Sequence, residues 1–456
     1  MASYPLIPEK LTVRDYQRDA MRAWFSAKGR GILEMATGTG KTITSICAIV
    51  TLLQCLRSAN YACGLVIVLP YKVLLEQWQD ILAEFGLYPL PCYEAKVIWL
   101  PKLQHQVDLF ARGSYKYLSV ITTNATFCSD EFQSELARLK GRFIFCADEV
   151  HHFATEQGVS LLPKEALFRI GLSATLMTKY ENQNMNALIA YFENGIVYSF
   201  SLERAINEGF LTPYKYHPVF VELTKDEKEE YFTISKKIAK AYLISENAES
   251  DEILQALLMK RARIIGSAEN KLAALRTMGG MIQGTKYNLF YCGDRREAEG
   301  RYIDKVSRVL SFDMDMKTHT FTSEENREER RDILNRFGRG DIEALTAIRC
   351  LDEGVDIPEL RRAFILSSGT NPKEFIQRRG RILRRSPGKD LAEIYDFFVV
   401  PTMRKSEIDR MDSEQLSAER RIINREFDRF KEFAGLAINK QDAHGKIIEI
   451  WALYNR

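Results

Sequence analysis

Between residues 30 and 200, short apolar runs alternate with longer amphipathic stretches. The runs GILEM (31–35), LVIVL (65–69), YLSVIT (117–122), RFIFCA (142–147) and FRIGLS (168–173) are of strand length, and each ends in a turn of polar or small residues. Continuous apolar runs of this kind predict strands buried on both faces, as in a parallel sheet covered by helices. In open α/β sheets ligands gather beyond the carboxyl ends of the strands, so the turns after these runs are where chemistry is expected.

From Thr224 to Met281 the period lengthens. KDEKEEYFTISKKIAKAYLI and DEILQALLMKRARII carry apolar residues at helical spacing and no proline, which predicts a helical linking segment. Strand-like runs resume with YNLFYC (287–292), EALTAI (343–348), RAFILSS (362–368) and AEIYDFFVV (392–400), predicting a second α/β domain. The C-terminal stretch SEQLSAERRIINREFDRFKEFAGLAI is charged and helical. Its Leu416, Ile422, Ile423, Phe427 and Phe430 share a stripe that is expected to pack on the second domain. The expected fold class is α/β: two parallel-sheet domains in tandem, at 1–212 and 284–402, with a helical linker at 213–283 and a helical tail at 403–456.

Composition agrees with this division. A chain of 456 residues exceeds the size at which one hydrophobic core stops growing. Lys and Arg number 64 against 61 acidic residues, so any surface for nucleic acid must be local rather than a property of the net charge of +3. The eight cysteines form no C-x-x-C pair, which argues against a zinc site and fits free thiols in a reducing cytosol. No apolar run approaches the ~20 residues that span a bilayer, and the N-terminus has no signal-peptide pattern; a cytoplasmic protein without a membrane partner is expected.

Two segments carry candidate chemistry. FCADEVHH (145–152) packs two carboxylates and two imidazoles into five positions, and by residue type alone it fits a metal site, an acid/base pair or half of a nucleotide pocket. GILEMATGTGKT (31–42) decides among these, because it runs from a strand through a glycine loop into the apolar helix ITSICAIVTLL, the context of a P-loop. In ATGTGKT, the backbone of Thr37, Gly38, Thr39 and Gly40 can cradle phosphate, Lys41 can reach the outer phosphates and Thr42 can ligate magnesium. The general pattern expects glycine at position 35, where this chain has Met35. Asp148 then belongs to the magnesium shell and Glu149 to the attacking water as general base. Adjacent histidines in an extended segment point apart, so His151 and His152 make a poor zinc pair.

With ATGTGKT and DEVH in this order, the chain resembles the superfamily 2 helicases and translocases of the DEAD/DEAH-box group, which includes the motor subunits of restriction enzymes. The resemblance covers nearly the whole chain and implies two RecA-like domains that hydrolyse ATP with Mg2+. VRDYQRDAM (13–21) looks like the adenine-reading segment of that group, with Gln17 pairing to the base and Arg14 or Tyr16 stacking on it. VLPYKVLLEQW (68–78) and ITTNATF (121–127) resemble motifs that hold a nucleic-acid backbone, which singles out Pro70, Thr122, Thr123 and Asn124. LSATL (172–176) is similar to the motif coupling hydrolysis to strand binding, with Ser173 and Thr175 reaching the DEVH carboxylates and His151 taking part.

In the second domain, FYCGDRRE (290–297) and CLDEGVDIPE (350–359) resemble later motifs, the latter with Gly354 beside phosphate and Asp356 on a ribose hydroxyl. QRRGRILRR (377–385) matches the helicase pattern in Gln377, Arg381 and Arg384, the arginines stabilising charge on the phosphoryl group. The resemblance implies an ATP-driven helicase or translocase, favouring DNA over RNA as the track. It further suggests the motor of a bacterial or phage-related defence or repair system, working beside a separate nuclease or other subunits. An RNA helicase and a slowly hydrolysing, nucleotide-switched scaffold are the alternatives. Glu94 and Lys96 mimic an E-x-K nuclease signature near Asp80, but an exposed strand with alternating charge explains them as well.

Overall fold

The computed structural model describes residues 5–174, 176, 183–244, 252–293, 296–297, 300–322, 324–348, 357–367 and 372–454. The chain divides into two compact units, Met1–Glu208 and Gly209–Arg456.

The first unit is built on strands β1 (Arg30–Met35), β2 (Cys63–Leu69), β3 (Leu90–Cys92), β4 (Tyr117–Thr123), β5 (Phe143–Ala147), β6 (Phe168–Ser173) and β7 (Ile196–Phe200). They form one parallel sheet in the order β3-β4-β2-β5-β6-β1-β7. Every residue of β2 and of β5 is buried. That is why these strands read as unbroken apolar runs: helices cover both faces, so neither set of alternating side chains meets water. All five runs expected as strands here form them. Strands β3 and β7 lie at the sheet's edges and were not anticipated, since Leu90–Cys92 is three residues long and Ile196–Phe200 is mostly half-buried.

The second unit has strands β8 (Tyr214–Val221), β9 (Asn288–Tyr291), β12 (Thr318–Phe321), β13 (Ala344–Ala347), β14 (Arg362–Ile365) and β15 (Ala392–Val399), with β10 (Arg296–Glu297) and β11 (Gly300–Arg301) in a small antiparallel pair. The six form a parallel sheet in the order β12-β13-β9-β14-β15-β8.

The expected boundaries change here. Residues 213–283 are no separate linker: β8 pairs with β15 along its whole length, and Tyr231, Ile234, Ile238, Leu254 and Ile264 join the same core as Phe290 and Phe364. The helical pattern was real, but helices of this amphipathicity must bury a face, and the second sheet supplies the surface. The tail behaves likewise. Helix Ser413–Ala434 buries Ile422, Ile423 and Phe430, as expected of its stripe, and Asn439 closes the exposed edge of β8. The Asn439 carboxamide accepts from the Tyr216 N–H at 2.8 Å and donates to its carbonyl at 3.0 Å, pairing backbone groups that an edge strand would otherwise expose. Among the described residues no helix is long and apolar enough to cross a membrane.

Candidate active site

Strand β1 delivers the chain to the phosphate loop, and helix α2 (Lys41–Ser58) leaves it. Gly38 and Gly40 take φ of 87° and 79°, a conformation strained for residues with a Cβ. A Cβ at Gly40 would also lie 2.9 Å from Gln17 Nε2, so a larger residue there would displace the Gln17 carboxamide. Lys41 and Thr42 open the first turn of α2, where unpaired amides and the helix dipole favour anions. Thr39 is buried and its hydroxyl donates to the Ala36 carbonyl at 2.6 Å, so Thr39 shapes the loop.

Asp148 follows β5 directly and is 1% exposed. Its Oδ1 accepts the Glu149 N–H at 2.8 Å and its Oδ2 the Trp78 indole N–H at 3.1 Å. Glu149 sits in the left-handed region (φ 44°, ψ 50°), a conformation that costs about 1–3 kcal/mol for a non-glycine residue. This turn brings its carboxylate onto Lys41: Nζ pairs with Glu149 Oε1 and lies 3.9 Å from Asp148 Oδ1. Burial pushes the Asp148 carboxyl up to about 6 against the opposing pull of Lys41. For Glu149 burial also pushes upward, but Lys41 and the neighbouring imidazoles outweigh it and its pKa is lowered. Lys41 thus faces both carboxylates, and at each of them its charge opposes the cost of burial.

Strand β6 lies between β5 and β1, and its last residue completes the group. Ser173 Oγ is 3.3 Å from His151 Nδ1, which in turn is 3.5 Å from Glu149 Oε2. The expected link from Ser173 to a carboxylate therefore runs through the imidazole. Thr175 lies outside the described residues. Beyond it, the Leu176 N–H donates to Glu34 Oε1 at 2.8 Å, and Glu34 Oε2 accepts the Ser199 hydroxyl at 3.0 Å. His152, which had no role in the sequence reading, stacks on His151 with ring centroids 4.6 Å apart and meets Tyr71 edge-on at 5.6 Å. The stack corrects the expectation that these histidines point apart, because Val150–Phe153 forms a 3-10 turn and is not extended. The contacts of Glu34, of Trp78 and of His152 with Tyr71 were missed because they join positions far apart in the chain, which no local spacing encodes.

The adenine segment needs one correction. Tyr16 is buried, its ring stacked on Phe200 at 4.2 Å and its hydroxyl donating to the Thr39 carbonyl at 2.6 Å. A ring covered in this way cannot stack on a base; it buttresses the phosphate loop from behind. Gln17 lies beside it, Oε1 accepting the Arg14 N–H at 2.9 Å and Nε2 donating to the Gly40 carbonyl at 3.4 Å. Arg14 is exposed at the start of helix α1 (Asp15–Ser26).

A second correction concerns the nucleic-acid motifs. Thr122 is fully buried and its hydroxyl donates to the Cys92 carbonyl at 2.6 Å, so it holds the edge strand β3 and cannot reach a phosphate. The alternation of a strand explains this: Thr122 points into the sheet's packed face, whereas Thr123 is half-buried and caps the helix Asn124–Phe127. Asn124 Oδ1 is buried without a hydrogen-bond partner among the described residues, and Pro70 is half-buried where β2 ends. The E-x-K resemblance dissolves, because Glu94 pairs with Lys72 and Lys96 with Glu131 at the surface.

In the second unit, Gln377, Arg381 and Arg384 fall on or just after helix Pro372–Ile382. The Gln377 side chain, Gly354 and Asp356 lie outside the described residues. The arginines of QRRGRILRR separate into two kinds. Arg378 and Arg379 are each 3% exposed, Arg379 paired with Glu432 at 2.5 Å, and they belong to the packing. Arg381 and Arg384 are half-buried. Lys389 Nζ donates to the carbonyls of Ile382 and Arg384 at 2.7 and 2.6 Å, fixing the end of the helix that carries them.

The donor set suits a nucleotide with a hard divalent cation: backbone amides of a glycine loop, an ammonium, a hydroxyl and carboxylates. Among the described residues, two buried polar atoms beside it, Thr37 Oγ1 and Glu149 Oε2, have no hydrogen-bond partner, His151 Nδ1 standing 3.5 Å from the latter. Among the described residues no cluster of three or more His, Cys, Asp and Glu forms a metal centre of its own.

Known families and structures agree with this geometry. The family profile described as Type III restriction enzyme, res subunit, matches residues 10–178, and that of the Helicase conserved C-terminal domain matches residues 272–386. The DNA 3'-5' translocase XPB2 of Sulfurisphaera tokodaii is 27% identical over 84% of this chain and 81% of its own length. Putative helicase 22 of a Sulfolobus islandicus filamentous virus is 23% identical over 88% of this chain and 68% of its own. Among solved structures, the ATP-dependent Type ISP restriction-modification enzyme LlaBIII bound to DNA superimposes with a TM-score of 0.64 at 16% identity, covering 99% of this chain, which spans 33% of that enzyme. The helicase domain of Pyrococcus furiosus Hef gives 0.51 at 17% identity, covering 88% of this chain and 98% of the domain. At such identities the superpositions speak to the fold. The two profiles in tandem, over the P-loop and DEVH in one unit and QRRGRILRR in the other, make the chain a superfamily 2 helicase/translocase resembling restriction-enzyme motors, and an ATP-hydrolysing enzyme.

Proposed function

We propose that the protein couples hydrolysis of Mg2+-bound ATP to movement along DNA or its opening, as the motor of a bacterial or phage-related system of DNA defence or repair. The observation that carries the reading is the contact of Lys41 with Glu149 and Asp148, which joins the phosphate loop to an acid/base pair at the carboxyl end of one sheet. ATP displaces this ion pair, Lys41 moving its charge to the outer phosphates. Glu149 is then released to take a proton from the attacking water, while Thr42 and Asp148 hold magnesium. Bound magnesium supplies positive charge that neutralises the phosphates as the leaving group departs. His151 reports the state of Glu149 to Ser173, and Arg381 and Arg384 stabilise charge on the phosphoryl group. Gln17 and Arg14 recognise the base; Pro70, Thr123 and Asn124 contact the track.

DNA as the track is supported by the relative described as a DNA 3'-5' translocase and by the DNA-bound restriction enzyme. ATPase rates measured in parallel with single-stranded DNA, duplex DNA and RNA test it: stimulation by DNA is expected, and stimulation by RNA alone would reject DNA as the substrate. Glu149→Gln should lower the stimulated rate by ~10²–10⁴ while ATP still binds. Full turnover in that variant rejects the mechanism.

A further inference from the structure

Asp148 is held from a direction that the phosphate loop does not supply. Helix Lys72–Glu84 begins directly after Pro70 and Tyr71, the loop assigned above to the track. Within it Trp78 is fully buried, and its indole N–H donates to Asp148 Oδ2 at 3.1 Å. An indole nitrogen is a donor only, and a buried one needs an acceptor. Here the acceptor is the carboxylate next to the general base, at the end of β5, the strand that neighbours β2 in the sheet. The other oxygen, Oδ1, already accepts the Glu149 N–H at 2.8 Å. With one donor on each oxygen, the plane of the carboxylate is set before any cation arrives. An aliphatic residue would fill the same space but leave the carboxylate free to turn about its Cβ–Cγ bond.

We propose that Trp78 is a positioning residue for magnesium: its indole N–H fixes the Asp148 carboxylate in the orientation that receives the cation, and ties that orientation to the helix following the track-binding loop. A shift of this helix on binding nucleic acid then changes the metal site directly, alongside the His151–Ser173 contact. The inference rests on the Mg2+–ATP reading above. Groups that orient a metal-binding carboxylate typically change metal affinity by ~10–100-fold when removed.

The test uses the full chain and a fluorescent, non-hydrolysable ATP analogue, titrated first in chelator and then with magnesium. Trp78→Phe keeps the aromatic packing and deletes the N–H. The expected result is unchanged affinity for the analogue in chelator and a magnesium midpoint raised ~10–100-fold, with the ATPase showing the same shift. Leu82→Ala, a buried change on the same helix, should lower the melting temperature and leave the magnesium midpoint alone. A normal midpoint in Trp78→Phe overturns the proposal, as does a loss of metal-free affinity that follows the loss of melting temperature in both variants. Should Trp78→Phe fail to fold, the wild-type chain answers through its four tryptophans labelled with 15N at the indole. One indole resonance must move when magnesium is added to the analogue-bound chain, and four unmoved resonances overturn the proposal. If wild type shows no magnesium-dependent gain in affinity, it is the nucleotide reading that fails; if it does and Trp78→Phe keeps that gain, only the role of Trp78 falls.

Discussion

Lys41 and Glu149, from the turns after β1 and β5, are joined by an ion pair, with Asp148 Oδ1 3.9 Å from the same ammonium. The group that must grip phosphate is therefore held on the group that must activate water. Removing one member of a buried pair costs about 3–5 kcal/mol, because the other is left desolvated and unpaired. In Lys41→Ala, burial acts on Glu149 against only the neighbouring imidazoles, and on Asp148, already raised, without the ammonium that opposes it, so the folded-state pKa of the pair rises. The folded chain then binds more protons than the unfolded one, so stability falls as pH rises through the carboxylate range. Calorimetry should find the variant melting well below wild type at neutral pH and regaining part of the difference on acidification. A melting temperature equal to that of wild type at neutral pH would contradict this account.

Tyr16 stands behind the phosphate loop, stacked on Phe200 and bonded to the Thr39 carbonyl. Tyr16→Phe keeps the stack and leaves a buried carbonyl short of a donor, a loss of about 1–3 kcal/mol. If the ring supports the loop and does not touch the base, ATP and GTP should be weakened by the same factor. Competition binding of the two nucleotides measures this, and a selective loss of ATP would restore the base-stacking role.

Glu34 lies on β1 just ahead of the loop and holds the Leu176 N–H and the Ser199 hydroxyl with its two oxygens. It ties the exit of β6, where Ser173 meets His151, to the strand that feeds the phosphate loop. Glu34→Ala should remove about 1.5–3 kcal/mol of charge-assisted bonding and speed hydrogen exchange at the Leu176 amide. Exchange that stays at the wild-type rate would show that the contact does not hold this segment.

The parts of this arrangement legible in the sequence are those encoded by neighbours. Gly38, Gly40 and Lys41 announce themselves because the loop between strand and helix is local, and Asp148 and Glu149 because they end an apolar run. Buried strands such as Cys63–Leu69 were legible for the same reason, while β3, β7 and β8 were not: edge strands keep polar or half-buried positions, and β8 precedes long helices that suggested a linker. Contacts such as Trp78 to Asp148 depend on which strands become neighbours. Tyr16 and Thr122 were misread because residue type suggests a ligand role whereas burial decides it.

Within the second unit, Glu393 on β15 lies 3.6 Å from His217 Nε2 and 2.9 Å from Arg362 Nε. His217 and Arg362 beside it hold its carboxyl down to about 2, against the upward push of burial. A depressed carboxylate stabilises the fold above its unfolded pKa, near 4.5, and this contribution is lost as pH falls toward 2. Near-ultraviolet circular dichroism on acid titration should show wild type losing tertiary signal through that window. Glu393→Gln should be less stable at neutral pH and show a shallower acid dependence; an unchanged slope would assign the acid sensitivity elsewhere.

Arg429 and Asp396 join helix Ser413–Ala434 to the second sheet. Both are buried; Arg429 Nη2 is 3.0 Å from Asp396 Oδ1 and 2.8 Å from Glu426 Oε2, while the Tyr216 hydroxyl donates to Asp396 Oδ2 at 2.9 Å. Burial pushes the Asp396 carboxyl up and Arg429 opposes it. Arg429→Ala therefore strands a carboxylate that Tyr216 alone cannot neutralise, and about 3–5 kcal/mol should be lost. The double variant Arg429→Met with Asp396→Leu removes both charges and fills much of the space, although Glu426 and the Tyr216 hydroxyl lose a partner. It should recover most of that loss. A double-mutant cycle by urea unfolding separates the pair's coupling from packing. Losses in the single variants Arg429→Met and Asp396→Leu that simply add up in the double variant would mean that the ion pair contributes no coupling, leaving the helix held by Ile422, Phe430 and Phe433.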